Sequence, residues 1–190
     1  MTQAPADIIV ADPPWRFASN SQTRPGRNAM RHYPCMPLDE ICAVPVAEWA
    51  ARPALLFLWA TSPMLPQALG VVAAWGFRFK SSLVWVKKRP GTGFWVRNRH
   101  ELVLLAGRGR FACPTPAPFP DSVITSPARR HSEKPEDLQD RIDLIWPEAR
   151  KLELFARRPR DGWEVWGNDV GLGPRPLEAD QTGGEDCNAV

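Results

Sequence analysis

The residues with the clearest chemical potential are Asp12-Pro13-Pro14-Trp15, which close the apolar run Ile8-Ile9-Val10-Ala11. Two consecutive prolines fix φ and cannot continue a helix or a sheet ladder, so the chain after Asp12 is stiff and turned. The result is a rigid loop with one carboxylate, carbonyls at Asp12 and Pro13 free to accept, and one large aromatic plate. A planar base with an exocyclic amine needs that set, two acceptors for its N–H groups and a ring to stack on. The same four residues also suit an ordinary strand-to-turn junction, because Asp-Pro begins many turns. Metal and disulfide chemistry find no comparable pattern. Cys35, Cys42, Cys113 and Cys187 form no C-x-x-C pair, and His32, His100 and His131 make no ligand-spaced cluster with them.

The elements that must position Asp12 are legible as apolar runs. Ile8–Val10, Ala54–Trp59, Ser82–Val86, Glu101–Ala106, Lys151–Phe155 and Trp163–Trp166 read as strands of a sheet buried on both faces. Between them, Met64–Trp75 reads as a helix stopped by Gly76. Pro135–Trp146 opens with Pro135, Glu136 and Asp137, a helix-start signature, and carries Leu138, Ile142 and Ile145 on one face. Strands alternating with helices predict an α/β fold with a mainly parallel sheet and helices on both faces. Arg16–Pro37 and Gly107–Arg130, rich in Ser, Arg, Gly and Pro, read as long loops, the natural candidates for gripping a substrate.

A chain of 190 residues, 44% hydrophobic and 24% charged, fits one domain, expected over residues 1–172, with residues 173–190 as an acidic disordered tail. No apolar run approaches the roughly 20 residues that span a bilayer, and the basic-then-apolar layout of a signal peptide is missing, so the cytoplasm is the expected compartment. The net charge of +3 is uneven. Without the tail, 23 basic residues face 17 acidic ones, and the cations recur in loop-like segments: Arg24, Arg27 and Arg31; Lys87, Lys88, Arg89, Arg97 and Arg99; Arg129 and Arg130; Arg157, Arg158 and Arg160. Such clusters suit phosphate contacts, although a solvated surface accounts for most charge runs equally well.

Set beside the Asp-Pro-Pro-Trp loop, five further segments carry a resemblance. They are Leu55–Thr61 (LLFLWAT), Ser82–Lys88 (SLVWVKK), Gly93–Glu101 (GFWVRNRHE), Ser132–Pro135 (SEKP) with its following helix, and Arg150–Asn168. With Ile8–Trp15 they stand in order, and the chain resembles the MT-A-seventy family of adenine N6-methyltransferases. The resemblance implies a Rossmann-like methyltransferase sheet in the circularly permuted order, with the Asp-Pro-Pro-Trp strand ahead of the cofactor strand. It accounts for the missing G-x-G-x-x-G after the first strand, which a dinucleotide-dependent oxidoreductase would need. The late strand Lys151–Phe155 would then supply the cofactor turn. S-adenosylmethionine is the implied cofactor, with contacts at Asp12, Lys134, Phe155, Arg157 and Asn168; Lys134 would serve as cation for its carboxylate, and Arg157 and Asn168 as hydrogen-bonders. Asp169 departs from the amide or glutamate that relatives carry at that place.

The implied chemistry is direct methyl transfer to the adenine amino nitrogen, with Asp12, Pro13, Pro14 and Trp15 as the catalytic loop. Asp12 Oδ and the Pro13 carbonyl would accept the two N–H groups and stabilise the charge that develops on nitrogen. Trp15, with Tyr33 as a second candidate, would stack on the base or wall its pocket, and Lys87, Lys88, Arg97 and Arg99 would hold the polymer. Such transfer needs no general base, so Asn98, His100 and Glu101 stay outside the catalytic set, with Glu101 or Asn98 expected to tie the loop to the sheet. The expected partner is nucleic acid, DNA ahead of RNA, in a bacterial or phage setting. The alternatives are an RNA adenosine methyltransferase and a catalytically silent nucleic-acid-binding subunit. No separate target-recognition domain is evident, so specificity would come from the long loops, a homodimer or a partner subunit.

Overall fold

The computed structural model describes residues 4–16, 35–91, 95–111, 121–127 and 133–167. Its elements are β1 (Ala6–Ala11), α1 (Leu38–Ala43), α2 (Val46–Trp49), β2 (Ala50–Ala60), a 3₁₀ turn (Ser62–Met64), α3 (Leu65–Ala74), β3 (Arg78–Val86), β4 (His100–Arg108), β5 (Val123–Thr125), α4 (Asp137–Ile145), β6 (Lys151–Leu154) and β7 (Trp163–Trp166). The strands form one sheet in the order β5-β3-β4-β2-β1-β6-β7. Six strands share a direction and β4 alone runs against them, pairing antiparallel with both β2 and β3. The α/β architecture and mainly parallel sheet are as expected.

Alternation along the central strands builds two cores. Ile9, Ala11, Leu56, Leu58, Leu152 and Leu154 face one side and pack with Ile41 of α1, Val46 of α2 and Ala68, Val71 and Val72 of α3. Ile8, Val10, Leu55, Phe57 and Trp59 face the other and pack with Leu138 and Ile142 of α4. Both faces being covered, the strands read as unbroken apolar runs. Each fully buried large side chain contributes roughly 1.5–3 kcal/mol through loss of apolar surface to water. Helix α3 carries Pro66 in its first turn and ends where Gly76 turns to φ +77, a left-handed position that a side chain would strain.

Two expectations need correction. The segment Gly107–Arg130 is not wholly loop: β4 continues to Arg108, and β5 pairs in parallel with the end of β3 through Val84↔Val123 and Val86↔Thr125. Helices α1 and α2, six and four residues long, also stand where no helix was expected. Their brevity leaves too little helical period to stand out, and Pro37 and Pro45 immediately ahead of them read as breakers. Among the described residues no helix is long and apolar enough to cross a membrane. The expected acidic tail, residues 173–190, lies outside the described residues.

The direction of the strands determines where chemistry can occur. The carboxyl ends of β1, β2, β3, β6 and β7 open onto one edge of the sheet, and antiparallel β4 brings its amino end, His100-Glu101, to that same edge. The chain leaves β1 over the face covered by α1 and α2, and reaches β6 from α4 on the opposite face. Parallel α/β sheets place ligands in the crevice beyond the carboxyl ends where such connections diverge, here beside Asp12.

Candidate functional site at the carboxyl edge of the sheet

Asp12 directly follows β1, the strand flanked by β2 and β6, and its N–H donates to the Leu154 carbonyl at 3.4 Å. The two prolines make a tight turn in which the Trp15 N–H donates to the Pro13 carbonyl at 2.8 Å, and Met36 N–H donates to the Pro14 carbonyl at 3.0 Å. The Pro13 carbonyl, expected from the sequence to be free, is therefore engaged; one of its two lone pairs is occupied and one remains. Trp15 is 4% exposed and lies in the core beneath α1 and α3. Its indole N–H donates to the Trp59 carbonyl at 3.1 Å, which pins the loop to the end of β2. In this arrangement Trp15 is an anchor and wall of the loop, not an open plate.

Lys134, just ahead of α4, reaches across 122 positions of sequence and donates from Nζ to Asp12 Oδ2 at 2.8 Å. The same ammonium lies 3.4 Å from Glu101 Oε2 and 5.6 Å from the centroid of the Trp59 ring. Glu101 in turn pairs with Lys87, whose ammonium stands 4.8 Å from the Trp85 centroid. The site is thus a row of alternating charge, Lys87, Glu101, Lys134 and Asp12, that sums to zero and lies on tryptophan faces. Shielded charges need such pairing, since an unpaired one would be heavily penalised.

The row sets the protonation of its members. Burial pushes the Asp12 carboxyl above its usual range; Lys134 opposes this and the Glu101 charge reinforces it, with a smaller opposing pull from Arg157. For Glu101, burial acts upward, but Lys134 and Lys87 together outweigh it and hold the carboxyl below its usual range. Burial would lower Lys134, yet Asp12 and Glu101 hold its ammonium above the usual lysine value. Asp12 is therefore the member most easily protonated out of turn.

On the other side of Asp12, the turn after β6 has an unusual backbone. Phe155 adopts φ +61, a left-handed conformation rarely taken by a bulky side chain. Its ring packs edge-on against Trp166 at 5.3 Å between centroids, so the side chain belongs to the core and the backbone faces the turn. The turn is held against the end of β7 by the Ala156 N–H, which donates to the Trp166 carbonyl at 3.0 Å. A Cβ on Gly167 would stand 2.7 Å from Ala156 N, 3.0 Å from the Phe155 carbonyl carbon and still closer to the Ala156 carbonyl oxygen, so only glycine fits there. Arg157, exposed at the mouth of this turn, lies near enough to act on the Asp12 charge.

The fold therefore draws Asp12, Pro13, Pro14, Lys134, Phe155 and Arg157 to one edge. Lys88, Arg97 and Arg99 are exposed on the segment joining β3 and β4, whereas Lys87, expected to hold the polymer, directs its charge inward to Glu101. Tyr33 and Asn168 lie outside the described residues. Glu101 is the residue that sequence reasoning left out of the site. Its partners stand 14 and 33 positions away, and the only local signal was a carboxylate at the start of an otherwise apolar strand.

Comparison with known proteins agrees with this geometry. The family described as MT-A70 matches residues 6–169. The type II methyltransferase M.MunI of Mycoplasma sp is 30% identical over 179 residues, covering 86% of this chain and 77% of that enzyme. The human N(6)-adenine-specific methyltransferase METTL4 is 30% identical over 182 residues, with 86% of this chain and 37% of the human protein covered. The N6-methyladenosine RNA methyltransferase MTA1 of Pyricularia oryzae is 29% identical over 181 residues, again 86% of this chain and 46% of the fungal one. The chain thus spans about three quarters of the Mycoplasma enzyme but less than half of the human and fungal proteins. With the match running from the first strand past the last, the chain belongs to the MT-A70 family.

Proposed function

We propose that the protein transfers a methyl group to the N6 amino nitrogen of adenine in nucleic acid, with DNA as the favoured polymer. The observation that carries this reading is Asp12 on a rigid loop at the tip of a central strand, bonded through Oδ2 to Lys134 at 2.8 Å. Membership of a methyltransferase family implies a methyl donor. S-adenosylmethionine fits the residues present: cationic Lys134 and Arg157 suit its carboxylate, and the Phe155–Ala156 backbone, held by Gly167, forms a fixed turn beside them. When bound, that cofactor supplies an electrophilic methyl group on a sulfonium.

Asp12 accepts one adenine N–H through Oδ1 while Lys134 holds Oδ2. The Pro13 carbonyl accepts the other N–H with its remaining lone pair. Together they draw the nitrogen out of conjugation with the ring and stabilise the positive charge that grows on it as the new N–C bond forms. The surplus proton leaves to solvent after transfer. No side chain acts as nucleophile, and holding the two substrates in contact provides much of the acceleration. Lys88, Arg97 and Arg99 contact the polymer backbone, and a homodimer or partner subunit would add target selection.

The test is direct. Purified protein with labelled cofactor is offered duplex DNA, single-stranded DNA and RNA, and N6-methyladenine is measured by mass spectrometry. We expect product on DNA, and its loss by at least a hundredfold in Asp12→Ala and Asp12→Asn, the scale of removing one preorganised transition-state contact. Full activity in both variants would sink the assignment. Product on RNA alone would transfer the reading to the chemistry for which the fungal relative is named. A silent subunit would bind no cofactor in calorimetry.

A further inference from the structure

Eight of the nine tryptophans lie buried or partly buried in the two cores, whereas Trp95 is 91% exposed. It sits on the segment that joins β3 to β4, whose described parts, Lys87–Gly91 and Trp95–Arg99, run as a ribbon of two bonded arms. The Lys87 N–H donates to the Arg99 carbonyl at 2.9 Å, Arg99 Nε donates back to the Lys87 carbonyl at 2.9 Å, and the Gly91 N–H donates to the Asn98 carbonyl at 2.8 Å. The two arms approach so closely that a Cβ on Gly91 would stand 3.3 Å from the Asn98 oxygen. From Lys87 to Arg99 the ribbon has five cations and no acid, and Lys88, Arg89, Arg97 and Arg99 are exposed like Trp95 and its neighbour Val96. Its root is fixed to the site, because Lys87 pairs with Glu101, which shares Lys134 with Asp12.

An indole held in water forfeits a large apolar contribution to stability, so its surroundings matter. Cations on both arms repel other basic surfaces and attract a polyanion. A polyanion with flat apolar faces is nucleic acid, whose bases stack on aromatic rings and whose phosphates meet lysine and arginine. We propose that the two arms Lys87–Gly91 and Trp95–Arg99 form a nucleic-acid wedge, with Trp95 stacking on the base beside the adenine presented to Asp12 and, in a duplex, filling the gap that the extruded adenine leaves. The proposal rests on the methyltransferase reading above. Extruding a base leaves an unstacked neighbour, and an apolar wedge inserted between steps offsets that loss.

The full-length protein is titrated against short fluorescein-labelled duplex and single-stranded DNA by anisotropy at several salt concentrations. Trp95→Ala should weaken binding about tenfold at every salt concentration without changing the slope of log K against log salt, and Trp95→Phe should recover most of it. Arg97→Gln and Arg99→Gln should each reduce that slope by about 1. Cofactor binding by calorimetry should be unchanged in all of them. Unaltered affinity in Trp95→Ala would overturn the wedge, as would a loss that tracks a change of oligomeric state in light scattering, since Trp95 would then serve contact between copies. If the wild-type protein methylates no polymer while these binding results hold, the methyltransferase reading fails and the wedge stands.

Discussion

Asp12 and Lys134 make opposite demands on pH. In the proposed transfer Asp12 accepts an N–H as a carboxylate, and burial raises its carboxyl, so the rate should fall on the acid side at a pH above the ordinary aspartate value of about 3.9. For stability the sign is the reverse: the folded chain keeps this proton longer than the unfolded one, so ionising Asp12 subtracts from stability as pH rises through its folded pKa. Lys134, raised by its two carboxylates, contributes fully below about pH 10.4 and loses that contribution as pH climbs through its folded pKa. Glu101, held low, contributes above about pH 4.3 and loses it as pH falls through its folded value. Lys134→Gln removes the strongest group opposing Asp12's rise, so the acid limb of kcat/KM for the polymer, measured at saturating cofactor, should move to higher pH. A limb that stays in place would show that Lys134 does not govern Asp12. Glu101→Gln strips Lys87 and Lys134 of their common counter-ion; breaking a buried pair from one side costs about 3 kcal/mol or more, which calorimetry should register as a Tm lowered by roughly 6–12 °C. None of this coupling was legible in the sequence. The acid of the Asp-Pro-Pro-Trp loop stood out because prolines isolate it, but the row of charge joins four residues scattered from position 12 to 134.

At the scale of elements, the central strands were legible because both faces of the sheet are covered, which forces apolar residues into consecutive positions. The three-residue β5 was not, since it is recruited by the edge of β3 through backbone hydrogen bonds that are indifferent to side-chain pattern. The turn after β6 depends on a crossing that only the folded chain reveals, Gly167 against the Phe155–Ala156 backbone. Gly167→Ala should cost about 1–3 kcal/mol by forcing two backbone segments apart, and differential scanning calorimetry should find the Tm lowered by several degrees. Because that shift displaces the turn beside Asp12, cofactor affinity should fall in the same variant. A stable Gly167→Ala protein with normal cofactor affinity would contradict the role given to this crossing. The Trp15 anchor can be tested in the same way. Trp15→Phe keeps an aromatic ring in the core but leaves a small void and loses the N–H to the Trp59 carbonyl, a cost of about 1 kcal/mol or more in stability accompanied by loss of activity if the loop must stay pinned.

At the scale of the whole molecule, strand order was the feature least open to prediction. A reader of the sequence finds six strand-like runs and no indication that the first lies in the interior of the sheet, or that one strand is reversed. The reversal follows from a link: the segments leaving β3 and entering β4 bond to each other as two adjacent arms, whereas a parallel pair would need a crossover. The interior position of β1 has a consequence in time. As the chain emerges during synthesis, β1 can pair at once with β2, but its other edge stays bare until Lys151–Leu154 arrives some 140 positions later. Through that interval an apolar strand edge is open to misplaced partners. The same late segment brings the turn beside Asp12, and Lys134 arrives only shortly before it. The first acid of the candidate site to be made is thus among the last to find its setting, so in a nascent chain the site is incomplete until nearly all of its sheet is in place.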